Sequence, residues 1–257
     1  MRTVVVTGSA SGIGRATTEL LEQRGDRVIG VDIRDAEVTV DLTTPQGRTD
    51  LVEQVRALSG GTIDAVIANA GLAHESPATI AVNYFGAVAT LEGLRPLLLG
   101  SPAPHASLTS SMASLMPNDA ELVGLALVGD EAGALLRCEE LIKNDQGALI
   151  YGSSKCALSR WMRRVAATPE WAGAGIPLNG VAPGIVVTPM TEGMLSTEEA
   201  RAALATQVPM PLHGFMGPEA VARLHAWLIS DENTHVCGQI VFIDGGSDVV
   251  IRGDSTW

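Results

Sequence analysis

Tyr151 and Lys155 stand four residues apart in the segment Tyr151-Gly152-Ser153-Ser154-Lys155. On a helix that spacing places both side chains on one face. A free tyrosine has a pKa of roughly 10 and is a poor base at neutral pH. Nearby positive charge favours the phenolate. Lowering the pKa by about 3 units takes roughly 4 kcal/mol, which cations in a partly dry site can supply. Such a pair can exchange a proton with a substrate oxygen, although the same spacing also fits an amphipathic surface pair with no chemistry. Upstream, Thr109-Ser110-Ser111-Met112 closes a strand-like run, His105–Thr109. A serine at a strand end can hydrogen-bond a substrate oxygen or simply cap a turn.

A second group of residues suits a phosphate-bearing ligand. Thr7-Gly8-Ser9-Ala10-Ser11-Gly12-Ile13-Gly14 joins a β-branched run to a segment of helical periodicity. The glycines, Gly8 and Gly12 among them, let the backbone turn tightly and approach a pyrophosphate. Ser11, Gly12 and Ile13 then open a helix whose N-terminus offers free N–H groups and a positive dipole end. Asp32 ends the next strand, 18 residues after Gly14. A carboxylate there accepts both ribose hydroxyls of NAD and repels a 2′-phosphate. Arg34 is the kind of neighbour that accommodates such a phosphate, but the place of Asp32 at the strand end favours NAD. Asn69-Ala70-Gly71 follows the fourth strand; its small residues either let the backbone lie against the cofactor or form a plain loop.

The elements that must hold these groups alternate between strand and helix. Strands are predicted at Thr3–Thr7, Arg27–Asp32, Val38–Val40, Ile63–Ala68, His105–Thr109, Ile176–Val181 and Gln239–Ile243. Helices are predicted over Gly12–Arg24, Pro45–Leu58, Ala78–Leu99, Tyr151–Ala167 and Pro218–Ile229. Ile13, Ala16, Leu20 and Leu21 recur at helical spacing, and Gly25 is placed to stop that helix in the left-handed conformation. The alternation implies an α/β fold. We expect a single Rossmann-type, doubly wound parallel sheet of about seven strands, ordered 3-2-1-4-5-6-7, with helices on both faces. No linker or repeat divides the 257 residues, so one dinucleotide-binding catalytic domain is expected over 1–257.

Composition narrows the function classes. A net charge of −12 repels nucleic-acid phosphates and anionic membrane surfaces, so neither is an expected partner. No apolar run is long enough to span a membrane, and the first strand begins too early to leave room for a signal peptide. Cys138, Cys156 and Cys237 form no CxxC pair, which fits a reducing compartment, and the cytoplasm is expected. No HExxH pair is present and no metal site is expected.

Several motifs occur in order along the chain. They are Thr7–Gly14, Asn69-Ala70-Gly71, Val82-Asn83-Tyr84-Phe85-Gly86, Ser110-Ser111, Tyr151–Lys155, and Pro183-Gly184 with Thr188. Together they make the chain resemble the short-chain dehydrogenase/reductase family over nearly its full length. The resemblance implies an enzyme that interconverts a secondary alcohol and a ketone, with a catalytic tetrad of Asn83, Ser111, Tyr151 and Lys155. Ser111, the second serine of its pair, would position the substrate oxygen, and Tyr151 would exchange its proton. Lys155 would lower the tyrosine pKa and hold the nicotinamide ribose, and Asn83 would hold a water that relays protons. Cofactor contacts are implied from Asp41 and Leu42 at the adenine, from Pro183, Gly184 and Val186, and from Thr188 at the nicotinamide carboxamide.

Ser111 and Tyr151 are 40 positions apart, where most of that family has a much shorter segment. Residues 112–150 are expected to form a helical insertion before the catalytic helix, with short helices over Asp119–Val128 and Asp130–Asn144. The second carries Leu135, Leu136, Cys138, Leu141 and Ile142 as an apolar face, with Asp130 as a cap. The insertion, the segment Val31–Val38 and Asp244-Gly245-Gly246 resemble the bacterial 3-alpha-hydroxysteroid dehydrogenase/carbonyl reductase branch. That implies a hydroxysteroid or other small apolar carbonyl or alcohol as substrate, and a homodimer formed through the insertion; a surface lid without a partner is the alternative. Residues 188–216 are expected to form a substrate lid. Its Met190, Met194, Leu195, Met210, Leu212 and Phe215 suit a bulky apolar substrate or ordinary packing. Two other functions compete: a dehydrogenase of a smaller cyclic alcohol or dihydrodiol, and a non-catalytic NAD-sensing protein. The sensor would need the glycine turn but not the tetrad.

Overall fold

Val4, Val5 and Val6 have no exposed surface in strand β1 (Thr3–Thr7), as a strand covered on both faces requires. The protein is seen here in a computed structural model that describes residues 1–255. β1 joins β2 (Arg27–Asp32), β3 (Val38–Thr39), β4 (Ala65–Ala68), β5 (His105–Thr109), β6 (Leu178–Pro183) and β7 (Ile240–Ile243) in one parallel sheet. The order is β3-β2-β1-β4-β5-β6-β7, as expected from the sequence. Between the strands lie α1 (Gly12–Gln23), α2 (Pro45–Ser59), α3 (Pro77–Ile80), α4 (Ala87–Leu98), α5 (Ala120–Leu127), α6 (Glu131–Lys143), α7 (Leu149–Val165), α8 (Glu198–Gln207) and α9 (Pro218–Leu228), and α10 (Ser247–Arg252) follows β7.

Strand alternation sorts the core into two layers. Val4, Val6, Ala65 and Ile67 pack with Leu21 of α1 and Ala226 of α9. Val5, Val66, Ala106 and Leu108 face the other way, toward Leu51 of α2, Leu91 and Leu94 of α4, and Leu158 of α7. Local signals fix the ends. Thr44 accepts the Gly47 N–H to cap α2, and Gly25 follows α1 at φ +91°, in the left-handed region its place predicted.

The structure departs from the sequence reading in several places. The long helix expected over Ala78–Leu99 is three pieces: α3, a π-helical turn at Ala81–Gly86, and α4. β4 starts two residues late: the Ile63 N–H is taken by the Leu97 carbonyl at 3.1 Å, and the Asp64 carboxylate accepts the Thr3 N–H at 2.7 Å and the Ser101 hydroxyl at 2.6 Å. β6 is shifted to Leu178–Pro183, because the Ile176 N–H is taken by the Trp171 carbonyl at 2.9 Å and Pro177 has no N–H to donate. α8 and α10 were not expected. α8 has no buried residue, so it carries no apolar periodicity to read.

Both insertion helices form. Asp119 accepts the Leu122 N–H at 2.7 Å and Asp130 the Gly133 N–H at 2.9 Å, capping α5 and α6. α5 lies against α7, and α6 against α5 and α3. The apolar face expected on α6 divides. Cys138 and Leu141 are buried in the chain's own core, Leu135 packs at its edge, and Leu136 and Ile142 point outward, 61% and 37% exposed. Arg48 ties the insertion to α2 by two bonds to Glu131, of 2.6 and 2.7 Å.

Candidate active site

Seven parallel strands bring their carboxyl ends to one edge, where such sheets bind ligands. A cavity of about 540 Å³ opens there. Its wall takes Gly8, Ser11, Gly12 and Ile13 from the turn after β1, and Asp32, Asp41 and Leu42 from the segments after β2 and β3. Asn69, Ala70 and Gly71 follow from β4, then Ser111 from β5, Tyr151 and Lys155 from α7, and Pro183, Gly184, Val186 and Thr188 from β6 and beyond. These are the expected residues, save Asn83, brought together from across the chain.

The glycine turn is shaped by close approach. Gly8 and Gly12 have φ of +70° and +52°, and a Cβ on Gly14 would lie 1.9 Å from the Gly8 carbonyl oxygen. Ser11 starts α1 without a side-chain cap, so the first N–H groups of the helix are left for a ligand. Asp32 accepts the Ala10 N–H at 3.0 Å and the Ile33 N–H at 2.7 Å, holding its carboxylate beside that turn. Asp41 accepts both the N–H and the hydroxyl of Thr43, which shapes the wall after β3. A Cβ at Gly71 would come within 3.2 Å of the Asn83 Oδ1 and 3.5 Å of the Lys155 Nζ. A side chain at Gly71 would therefore crowd the Asn83 amide at the site.

Ser111 and Ser110 are separated by their partners. The Ser111 oxygen accepts the Ala113 N–H at 3.1 Å, and Ser111 shares the cavity wall with Tyr151. Ser110 is turned to α7, 2.6 Å from the Ser159 hydroxyl. Lys155 donates to the Thr109 carbonyl at 2.8 Å and lies 5.9 Å from the Tyr151 ring centre. Burial pushes the Lys155 ammonium down to about 8. Burial also raises the Tyr151 pKa, with neighbouring Ser111 acting against it. Desolvation therefore opposes the phenolate that the Lys155 ammonium and a positive nicotinamide ring are expected to favour.

Asn83 sits in the π turn, fully buried and off the cavity wall. Both amide hydrogens are used, toward the Leu72 carbonyl at 2.9 Å and the Ser154 hydroxyl at 3.0 Å, and its Oδ1 accepts the Leu72 N–H at 2.8 Å. The side chain is a brace between the segment after β4 and α7. Sequence reasoning missed the rest of Tyr151–Lys155. A Cβ on Gly152 would press on the Pro117 carbonyl at 3.1 Å, and Ser153 accepts the Asp119 N–H at 2.8 Å, so the motif also docks the insertion. The lid divides as well. Leu195 and Met210 are buried, whereas Met190, which lines the cavity, and Met194 are half-exposed.

Residues 8–248 match the family model described as enoyl-(acyl carrier protein) reductase. The chain is 35% identical over 256 residues to the 3-alpha-hydroxysteroid dehydrogenase/carbonyl reductase of Comamonas testosteroni, covering 98% of each chain. It belongs to the short-chain dehydrogenase/reductase family and is an oxidoreductase. Within that family it is similar to the 3-alpha-hydroxysteroid dehydrogenase of Pseudomonas sp. B-0831, whose crystal structure is complexed with NADH. The TM-score is 0.90 at 37% identity, covering 98% of this chain and 99% of that one. Cis-4-hydroxycyclohexanecarboxylate dehydrogenase of Sinomonas cyclohexanicum is 30% identical over 97% of both chains. Among the described residues no helix is long and apolar enough to cross a membrane.

Proposed function

We propose that the protein interconverts a secondary alcohol and a ketone with NAD, on an apolar substrate of the 3-alpha-hydroxysteroid kind. The observation that carries this is the convergence of Ser111, Tyr151 and Lys155 on the wall of the same cavity as the glycine turn and Asp32. The cradle at Gly8 and Gly14 and the uncapped start of α1 fit a dinucleotide pyrophosphate. Asp32 would hold the adenosine ribose, and with Asp35 on the same wall it sets two carboxylates against the single Arg34. NAD supplies the hydride acceptor for alcohol oxidation and NADH the donor for ketone reduction. Ser111 orients the substrate oxygen, and Tyr151 takes its proton in oxidation or returns it in reduction. Lys155 holds the nicotinamide ribose and favours the phenolate together with the positive nicotinamide ring. Asn83 keeps the Leu72 segment against α7, which leaves its main chain rather than its amide to hold a relay water. Asp41 and Leu42 at the adenine and Pro183, Gly184, Val186 and Thr188 at the nicotinamide complete the cofactor contacts.

The steroid reading is supported by the two 3-alpha-hydroxysteroid dehydrogenases described above and by the half-exposed Met190 on the cavity wall. A smaller cyclic alcohol is the second reading, favoured by the Sinomonas relative. Initial rates on steroids, monocyclic ketones and diols, each with NADH and NADPH or their oxidised forms, decide between them. The account expects the largest kcat/KM on a hydroxysteroid pair with NAD(H). A preference for NADPH would overturn the role given to Asp32. For assembly, we infer a homodimer through the insertion, resting on outward Leu136, Ile142 and Val128. The free Cys138, Cys156 and Cys237 are consistent with the expected reducing cytoplasm.

A further inference from the structure

His225 lies on α9, on the far side of the sheet from α7, and has no exposed surface. Both of its ring nitrogens are engaged by strand β5. Nδ1 is 2.9 Å from the Ser107 hydroxyl and Nε2 is 3.0 Å from the Thr109 hydroxyl. Ser107 and Thr109 are two apart on the strand and so present the same face to α9. Thr109 in turn meets the Asn69 Oδ1 at 2.9 Å, and the Asn69 Nδ2 meets the Thr7 carbonyl at 3.1 Å. The chain of bonds crosses the carboxyl ends of β5, β4 and β1, which are neighbours in the sheet.

The direction of every bond follows from one fixed acceptor. The Thr7 carbonyl only accepts, so the Asn69 amide must face it with Nδ2 and turn Oδ1 to Thr109. Thr109 must then donate its hydroxyl hydrogen to Asn69. That leaves the Thr109 oxygen as acceptor for His225, so Nε2 carries the ring proton and Nδ1 accepts from Ser107. Burial keeps the ring neutral, its pKa pushed down to about 3.

The far end of the chain is the cofactor turn. Asn69 lines the cavity, and its Nδ2 is among the atoms that a Cβ on Gly8 or Gly14 would crowd, at 3.0 and 2.7 Å. The Thr7 hydroxyl also accepts the N–H groups of Asn69 and Ala70, each at 3.0 Å. Thr109 bears on Lys155 too, whose ammonium donates to the Thr109 carbonyl.

We propose that His225 is a positioning residue for the dinucleotide turn, acting through Thr109 on Asn69. It fixes the Asn69 amide in the orientation that braces Thr7 and Gly8, so that the turn is formed before the ligand arrives. It touches neither substrate nor cofactor. The inference rests on the NAD site proposed above, and two measurements separate the two.

The first measurement needs no cofactor. Nitrogen-15 NMR of the imidazole rings in the full chain, with His225 identified by its loss in His225→Gln, should show a neutral ring protonated at Nε2 near neutral pH. A ring protonated at Nδ1, or an imidazolium, would overturn the bond directions and the proposal. The second is NADH affinity. Losing the donor to Thr109 in His225→Leu should weaken NADH binding roughly tenfold and raise its KM, with kcat within about threefold of wild type. His225→Gln, which keeps an N–H donor at that end, should recover affinity to within about threefold. In an Asn69→Ala background, His225→Leu should add less than about twofold, since the path runs through that amide. Should His225→Leu fail to fold, Thr109→Val breaks the same link and should show the same tenfold loss. Wild-type affinity in the folded Leu or Val variant, failure of Gln to restore it, or additive effects with Asn69→Ala would contradict the role. If the wild-type chain does not bind NADH at all, the proposed cofactor is wrong, while the ring NMR still decides the relay.

Discussion

Lys155 is a buried ammonium whose only hydrogen bond among the described residues is to the Thr109 carbonyl. Among the described residues no carboxylate pairs with it, so its charge costs folding energy that function requires. Its folded pKa of about 8 lies below the ordinary 10.5. Between those values the unfolded chain binds the extra proton, so stability rises with pH through that window. The gap corresponds to a cost on the order of 3 kcal/mol at neutral pH. Lys155→Met should therefore raise the Tm by about 2–5 °C at pH 7 while removing turnover. Calorimetry beside an activity assay checks this; a lower Tm would show that the ammonium stabilises the fold. At this scale the ordered family motifs pointed to Tyr151, Lys155 and Ser111, which share one cavity wall, whereas spacing and strand-end position alone left a bland reading for each. The sequence missed what Asn83 does, because its partners Leu72 and Ser154 lie 11 and 71 residues away. Position along the chain says nothing of which amide hydrogens are already used.

Among the elements, α7 does more than carry the tyrosine. Gly152 and Ser153 seat the start of the insertion, and Ser154 holds the π turn, so a short motif fixes three surrounding segments at once. Asp119 is the insertion's own anchor, capping α5 and meeting Arg137 of α6 at 2.8 Å. The Arg137 guanidinium, aided by the Leu122 N–H, holds the Asp119 pKa below the usual carboxylate range although burial opposes it. Its contribution is thus present above the ordinary carboxylate pKa and is lost as pH falls through the depressed one. Asp119→Ala should lower stability by about 1–2 kcal/mol in urea titrations near pH 7, with the difference shrinking in acid. An equal difference at both pH values would remove the carboxylate from this role. The periodic helices and β-branched strands were legible. The π turn was not, because Ala81–Gly86 is buried on every side and reads as unbroken helix. α8 was not, because nothing on it is buried.

For the whole molecule, the parallel sheet explains how residues from position 8 to position 188 reach one cavity. Strand order was readable from the alternation of elements, and the family motifs fixed which edge is functional. Assembly was less legible. Half of the apolar face on α6 turns inward, which no periodicity could reveal, since own core and partner surface both favour apolar residues. If the insertion forms the dimer, Leu136→Asp should sediment as a monomer with its fold intact by circular dichroism. A dimer of unchanged strength would place the contact elsewhere. The account as a whole stands on proton exchange at Tyr151 beside a bound dinucleotide. Its most direct test is Tyr151→Phe, with NADH affinity and turnover measured on the same preparation. The account predicts NADH binding within about twofold of wild type and kcat reduced by about 1,000-fold or more. Near-normal turnover in that variant would contradict it.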